Sequence, residues 1–278
     1  MARREHVQIK TAAEIAKMRV AGLLVAQALD RLREAAVPGV TTADLDAVAE
    51  KTIRAGGGIP SFKGYAHPPY PASICSSVND EVVHAIPNKK RVLRDGDIIS
   101  IDCGAIVDGW HGDAAITVPI GQVDPAILDM IKVCEESLWA GLAAVQLGGR
   151  LTDISHAVEK YVRPHGYGIV DNYGGHGIGT EMHQPPHILN HGRPGRGVKL
   201  VAGLALAIEP MITMGSPDTR ILADDWTVST VDGSWAAHTE HTVAVTPRGP
   251  WVLTAHDGGA AKLAELGVAC GAPADANT

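Results

Sequence analysis

The chain has 278 residues, 45% of them hydrophobic and 20% charged, with a formal net charge of −7 and a pI near 6.0. This composition fits a soluble globular enzyme and argues against a dedicated nucleic-acid binder, because no domain-wide basic excess exists to displace counterions from a phosphate backbone. No apolar run reaches membrane-spanning length, and the charged start Met1 to His6 has no apolar region behind it, so neither a span nor a secretory leader is signalled and a cytoplasmic location is expected.

Thr11 followed by Glu14 reads as a capping box, and Ile15, Met18, Gly22, Val25, Leu29 and Leu32 recur at helical spacing until Pro38-Gly39 stops them. A second helix starts from a Thr42 cap, carries Leu45, Val48 and Ile53 inward, and ends at Gly56-Gly57-Gly58. Residues 59–72, rich in Pro, Gly and Tyr, read as a loop. Strand-type sequence follows, clearest over 98–101 and 114–118. The order then recurs, with helices from about Pro125 to Leu147 and from about Thr152 to Val162.

The recurrence extends to residue identities. Asp44 and Glu50-Lys51 match Asp153 and Glu159-Lys160 at a constant offset, and Leu93, Gly96 and Ile101-Asp102 match Leu200, Gly203 and Ile208-Glu209. An α+β fold of two pseudo-symmetric halves within one domain over residues 1–278 is expected, with a short N-terminal segment (1–10) and a disordered tail over 267–278.

Asp102, Asp113, His176, Glu209 and Glu240 lie in apolar or glycine-rich segments, where a bare carboxylate costs several kcal/mol unless a cation compensates it. A two-residue hairpin at Asp108-Gly109 puts Asp113 opposite Gly104, and therefore on the same sheet face as Asp102. Two carboxylates converging there suit a metal pair, although a solvated, turn-adjacent pair is the plainer alternative. Glu209 follows the apolar run Leu204 to Ile208 and precedes Pro210. Taken singly, Glu240 reads either as a ligand or as an exposed strand residue, and His176 either as a ligand or as a turn residue. An oxygen-rich set with one imidazole suits Mn, Fe, Co or Zn in a paired site that acidifies a water for hydrolysis. His84 and His183 stand outside that set, as substrate or oxyanion contacts or as structural histidines. Cys75, Cys103, Cys134 and Cys270 are widely spaced and signal neither a thiolate zinc site nor disulfides.

Together, Ser77-Val78-Asn79-Asp80, His84, Ile101-Asp102, His111-Gly112-Asp113, Gly175-His176-Gly177-Ile178-Gly179, His183, Ile208-Glu209-Pro210-Met211 and Glu240-His241-Thr242 resemble the type I methionine aminopeptidases over roughly residues 10–250. The resemblance implies the pita-bread fold, a central antiparallel sheet flanked by helices, and two divalent ions per chain, with Co, Mn, Fe, Zn and Ni as candidates. It implies that Asp113 and Glu240 bridge the metals, that Asp102 binds one and His176 with Glu209 the other, and that Glu209 also shuttles the proton. His183 is implied at the scissile carbonyl and His84 at the substrate backbone, with Tyr70, Cys75 and Trp226 lining a methionine pocket. The implied reaction removes the initiator methionine of nascent chains when the second residue is small. A monomer is expected, with no membrane partner and no dedicated nucleic-acid binding; any ribosome contact falls to the domain's own surface, since no N-terminal extension precedes the first helix. Met182 stands where relatives often have Phe, and His67 replaces an aromatic near Tyr70; both changes are expected to bear on pocket shape. The alternatives are a prolidase or aminopeptidase P of the same fold, and a non-catalytic pita-bread binding protein.

Overall fold

The computed structural model describes residues 7–273. Four long helices occur where the apolar spacing predicts them: α1 (Ala12–Ala35), α2 (Thr42–Ala55), α3 (Pro125–Ala143) and α4 (Leu151–Val162). Thr11 and Glu14 form the expected capping box on α1. The cap of α2 is Thr41, one residue earlier than expected, because Asp44 lies at the right distance to bind back to the Thr41 N–H (3.0 Å). Helix α3 stops at Ala143, short of Leu147, and the chain turns through Gly148-Gly149.

A nine-stranded sheet underlies these helices. Its centre is the hairpin Ile98–Val107 and Trp110–Pro119, in which Gly104 faces Asp113 and Asp102 faces Ala115, the predicted register. Beside it runs Glu240–Thr246, then Ala205–Ile208, then Gly175–Gly177, all antiparallel. In the main sheet the two halves meet where Trp110–Pro119 pairs with Glu240–Thr246, through two residue pairs, Glu240 with Ala115 and His241 with Ala114; outside it, Glu81–Val83 pairs with Val228–Thr230. Thr242 reinforces this seam. Its hydroxyl accepts from the Asp113 N–H (3.1 Å) and donates to the Asp113 carbonyl (2.8 Å).

The sequence repeat is a structural repeat. Thr41 bridges Val92 in the first half and Arg150 bridges Lys199 in the second, and Asp153 binds the Arg150 N–H as Asp44 binds that of Thr41. Each half has its own core under its helices: Leu29, Leu45, Ile53, Ile99 and Ile101 in the first, and Leu142, Ile154, Leu200, Leu206 and Ile208 in the second. Helix α1 lies very close to the seam. A Cβ on Gly22 would sit 2.3 Å from the Leu253 carbonyl oxygen, and one on Gly112 would sit 2.7 Å from the Gly22 nitrogen. Arg19 ties the same helix to the far half, donating to the carbonyls of Leu253 (2.8 Å), Ala255 (2.6 Å) and His256 (2.7 Å).

The expected disordered tail is a correction for its described part. Val268 and Cys270 pack on the second core, the Gly271 N–H donates to Pro250, and Arg248 holds the Ala272 carbonyl, so buried contacts outweigh the polar, Ala- and Gly-rich composition as far as Pro273. Residues 274–278, like 1–6 of the N-terminal segment, lie outside the described residues; Lys10 of that segment donates its N–H to Gly203 (2.8 Å).

Candidate metal centre and substrate pocket

Strand ends and the seam bring the predicted ligands to one place. Asp102 and Asp113 project from the hairpin, Glu240 begins the strand across the seam, Glu209 follows Ile208 at the end of its strand, and His176 stands mid-strand opposite Ala207. Ligand-type atoms of Asp113, His176 and Glu240 lie within 4.8 Å of one another, and so do those of Glu209, His238 and Glu240. Glu240 belongs to both groups, as a bridging carboxylate would. Asp102 is in neither group but lines the same pocket, diagonally adjacent to Asp113.

The electrostatics call for cations. Asp113 and Glu240 are 3% and 2% exposed. Burial, then mutual repulsion among the carboxylates, holds the Asp102 and Glu240 carboxyls well above the usual carboxylate range. Burial and the charge of Glu209 do the same to Asp113, and burial alone raises Glu209. Asp102 Oδ1, Asp113 Oδ1, Glu240 Oε1 and His238 Nε2 are all buried without a hydrogen-bond partner. Such orphaned atoms are costly in a native fold, and the unpartnered carboxylate oxygens of Asp102, Asp113 and Glu240, residues that line one pocket, fit divalent ions. The His176 Nδ1 lies 3.0 Å from the Gly177 carbonyl, which can only accept, so Nδ1 carries the hydrogen and the Nε2 lone pair faces the carboxylates, 3.7 Å from Glu240 and 3.9 Å from Glu209. Burial pushes the His176 imidazole down to about 3, which keeps it neutral and able to ligate.

Beside the carboxylates a pocket of about 100 Å³ is walled by Phe62, Tyr65, Tyr70, Cys75, Met182 and Trp226. Four of the eleven Phe, Trp and Tyr side chains, among them the single Phe, surround this space. The Tyr70 hydroxyl is turned away to the carbonyls of Ile74 (3.1 Å) and Ala85 (2.9 Å), so the pocket receives only its ring. Asp46 on α2 accepts from the N–H groups of Ser73 (2.7 Å) and Ile74 (3.1 Å), fixing the strand that presents Cys75. His84 has a left-handed backbone (φ 62°) and stacks edgewise on Tyr173 and Trp226. With His176, His183 and Glu209 it also lines an outer groove that runs past Tyr173, Gln184 and His187 to the surface.

His67 is exposed and does not line the pocket, contrary to expectation, because the loop turns at Ala66 (φ 59°) and brings Tyr65 inward in its place. Met182 does line it, 3% exposed. Two participants escaped the sequence reading. His238 sits 3.4 Å from Glu209, and its signal was its place two residues before Glu240, although a separate short strand (Ala236–His238) paired to Met211–Thr213 carries it there. Tyr65 meets His183, and no local pattern announced it.

Comparison with known proteins agrees with this geometry. Residues 16–247 match the model of metallopeptidase family M24. The chain is 54% identical to a methionine aminopeptidase of Clostridium acetobutylicum, over 88% of this chain and 98% of that one. It is 52% identical to methionine aminopeptidase 1 of Mycobacterium tuberculosis, over 90% and 96%. The crystal structure of a methionine aminopeptidase from Thermotoga maritima superposes with a TM-score of 0.87 at 41% identity, covering 90% of this chain and 99% of that one.

Proposed function

The chain belongs to metallopeptidase family M24, and from that premise we propose that it is an aminopeptidase that removes an N-terminal methionine when the second residue is small. The observation that carries the reading is the pocket in which a wall of Phe62, Tyr65, Tyr70, Cys75, Met182 and Trp226 abuts the carboxylate cluster. Its free space of about 100 Å³ is smaller than the roughly 150 Å³ cavity that holds benzene, so it takes one side chain and no further residue. An unbranched thioether fits such a space, and aromatic and sulfur walls favour its sulfur. The rest of the peptide leaves by the outer groove, which puts the first peptide bond beside His84, His183 and Glu209.

Asp102, Asp113, His176, Glu209 and Glu240 would hold two divalent ions, with His238 Nε2 3.4 Å from Glu209. Ions held there would acidify a water and polarise the scissile carbonyl. Glu209 accepts the proton of that water and returns it to the leaving amine. His183 donates to the oxygen of the substrate carbonyl as negative charge develops on it. His84 binds the substrate backbone, while Tyr70, Cys75 and Trp226 confine the methionine side chain. The availability of Co, Mn, Fe, Zn or Ni selects the ions as much as affinity does. We place the enzyme in the cytoplasm as a monomer that meets nascent chains with its own surface; no helix among the described residues is long and apolar enough to cross a membrane.

Metal-loaded protein is expected to cleave Met-Ala-Ser, to stop on chelation, and to leave an X-Pro dipeptide intact. Turnover of the dipeptide alone would move the assignment to prolidase. Failure to take up any divalent ion would leave a binding protein.

A further inference from the structure

His176 and His183 stand side by side with ring centroids 4.2 Å apart, and their Nδ1 atoms meet opposite partners. His176 Nδ1 faces the Gly177 carbonyl, which has no hydrogen to give, so its Nε2 is left with a lone pair. His183 Nδ1 faces the Tyr65 hydroxyl at 2.6 Å. We infer that Tyr65 is a positioning residue that fixes the tautomer of His183, donating its hydroxyl hydrogen to Nδ1 so that Nε2 carries a hydrogen and enters the pocket as a donor rather than as a metal ligand. The inference rests on the proposed role of His183 at the substrate carbonyl and explains how the residue is kept to it.

The geometry favours this direction of donation. Nδ1 of His183 is the one hydrogen-bond partner of the Tyr65 hydroxyl among the described residues, and in this exposed pair a phenolic O–H is the stronger donor and an unprotonated imidazole nitrogen the stronger acceptor. The two rings also touch, with centroids 5.1 Å apart, which restricts the imidazole's rotation. Tyr65 is itself held. Its N–H donates to Phe62 (2.9 Å), its carbonyl accepts from Tyr70 (2.9 Å), and Gly64 closes the loop onto Tyr70 (2.8 Å). Neighbouring histidines thus receive opposite assignments, acceptor at the metal and donor at the substrate, from the group behind each Nδ1.

The test uses the metal-loaded, full-length protein. Tyr65→Phe keeps the ring that lines the pocket and removes only the hydroxyl. It is expected to lower kcat roughly tenfold, about the worth of one hydrogen bond, with KM within about twofold and metal content unchanged. In a His183→Ala background the same substitution is expected to add nothing. In zinc-loaded wild type, ¹⁵N spectra should show His183 protonated on Nε2 and bare on Nδ1. A His183 protonated on Nδ1 overturns the inference, and so does a Tyr65→Phe enzyme with wild-type kcat beside an impaired His183→Ala. Full turnover by His183→Ala would instead remove the role of His183, a separate failure. Should Tyr65→Phe not fold, the wild-type spectrum decides.

Discussion

In the first half, Asp102 and Asp113 come from one tight hairpin, whereas in the second half Glu209 and Glu240 are separated by an excursion through four short strand pairings. That excursion supplies Trp226 to the pocket and His238 to Glu209. The first half departs from the common plan in another place, the loop over 61–73, which supplies Phe62, Tyr65 and Tyr70. What the halves share holds the charge, and what each has alone shapes the substrate side. Asp102 and Glu209 therefore follow the repeat, while the pocket residues do not.

The comparison breaks hardest at the seam. Asp113→Ala and Glu240→Ala, one from each half, should each cut turnover by roughly 10³-fold or more and lower the bound metal measured by elemental analysis. A variant of either residue that keeps both its ions and its rate would dissolve the equivalence. His183→Ala lies beside the seam and contributes no carboxylate; it should lose about 10²-fold in kcat with metal content intact, since an oxyanion donor is removed. Loss of metal in that variant would put His183 among the ligands.

Helix packing separates the halves more sharply than their sequences suggest. Gly22→Ala would meet the Leu253 carbonyl at 2.3 Å, backbone that cannot step aside, and should cost about 3 kcal/mol of stability in urea melts. Gly141→Ala on α3 would meet only a methyl of Val158 at 2.8 Å and should cost about 1 kcal/mol. Equal costs would mean that α1 relaxes away from the seam.

With chelator present, stability should fall as pH rises from about 7 to 8. Asp113 and Glu209, raised to about 8 chiefly by burial, stay protonated in the folded chain up to that pH, while their unfolded counterparts ionise near 4. At these carboxyls the folded state then binds more protons, so each pH increment favours unfolding; the buried His176 and His238, pushed down to about 3, oppose this only below the unfolded imidazole value of about 6.5. A Tm lower by roughly 5 °C at pH 8 than at pH 7 is expected, with the slope flattened by metal. A rising Tm under chelation would contradict the burial argument. Smallest is the helix cap. Thr41→Ala should cost about 1 kcal/mol because its hydroxyl accepts from Asp44 N–H (3.2 Å), while Arg150→Ala should cost almost nothing, its side chain making no cap bond.

The metal floor was legible in the sequence because its cause is local: a two-residue turn fixes the register that aligns Asp102 with Asp113, and an offset between repeats aligns Asp102 with Glu209. The type I resemblance then supplied roles for His84, His183 and the pocket. Tyr65 and His67 were harder. Two side chains two residues apart in a Pro-rich loop exchange inside for outside according to one backbone turn at Ala66, and spacing does not encode that turn. His238 was hidden by a strand break at Thr239, which removes the period-two rule that would have paired it with Glu240. The stretch 267–273 misled through composition, since Val268 and Cys270 suffice to dock it.

The two-pair seam also suggests a way to take the molecule apart. If the chain were cut between Pro119 and Asp124, each fragment would retain a helix pair and its own core, and the pieces would meet through Ala114 and Ala115 with His241 and Glu240, through Val83 with Val228, and through the grip of Arg19 on Leu253 and Ala255. Each fragment would carry half of the carboxylates. Reassembly would then be a ligation by ions, reporting divalent cation as a switch from two inert polypeptides to one working catalyst.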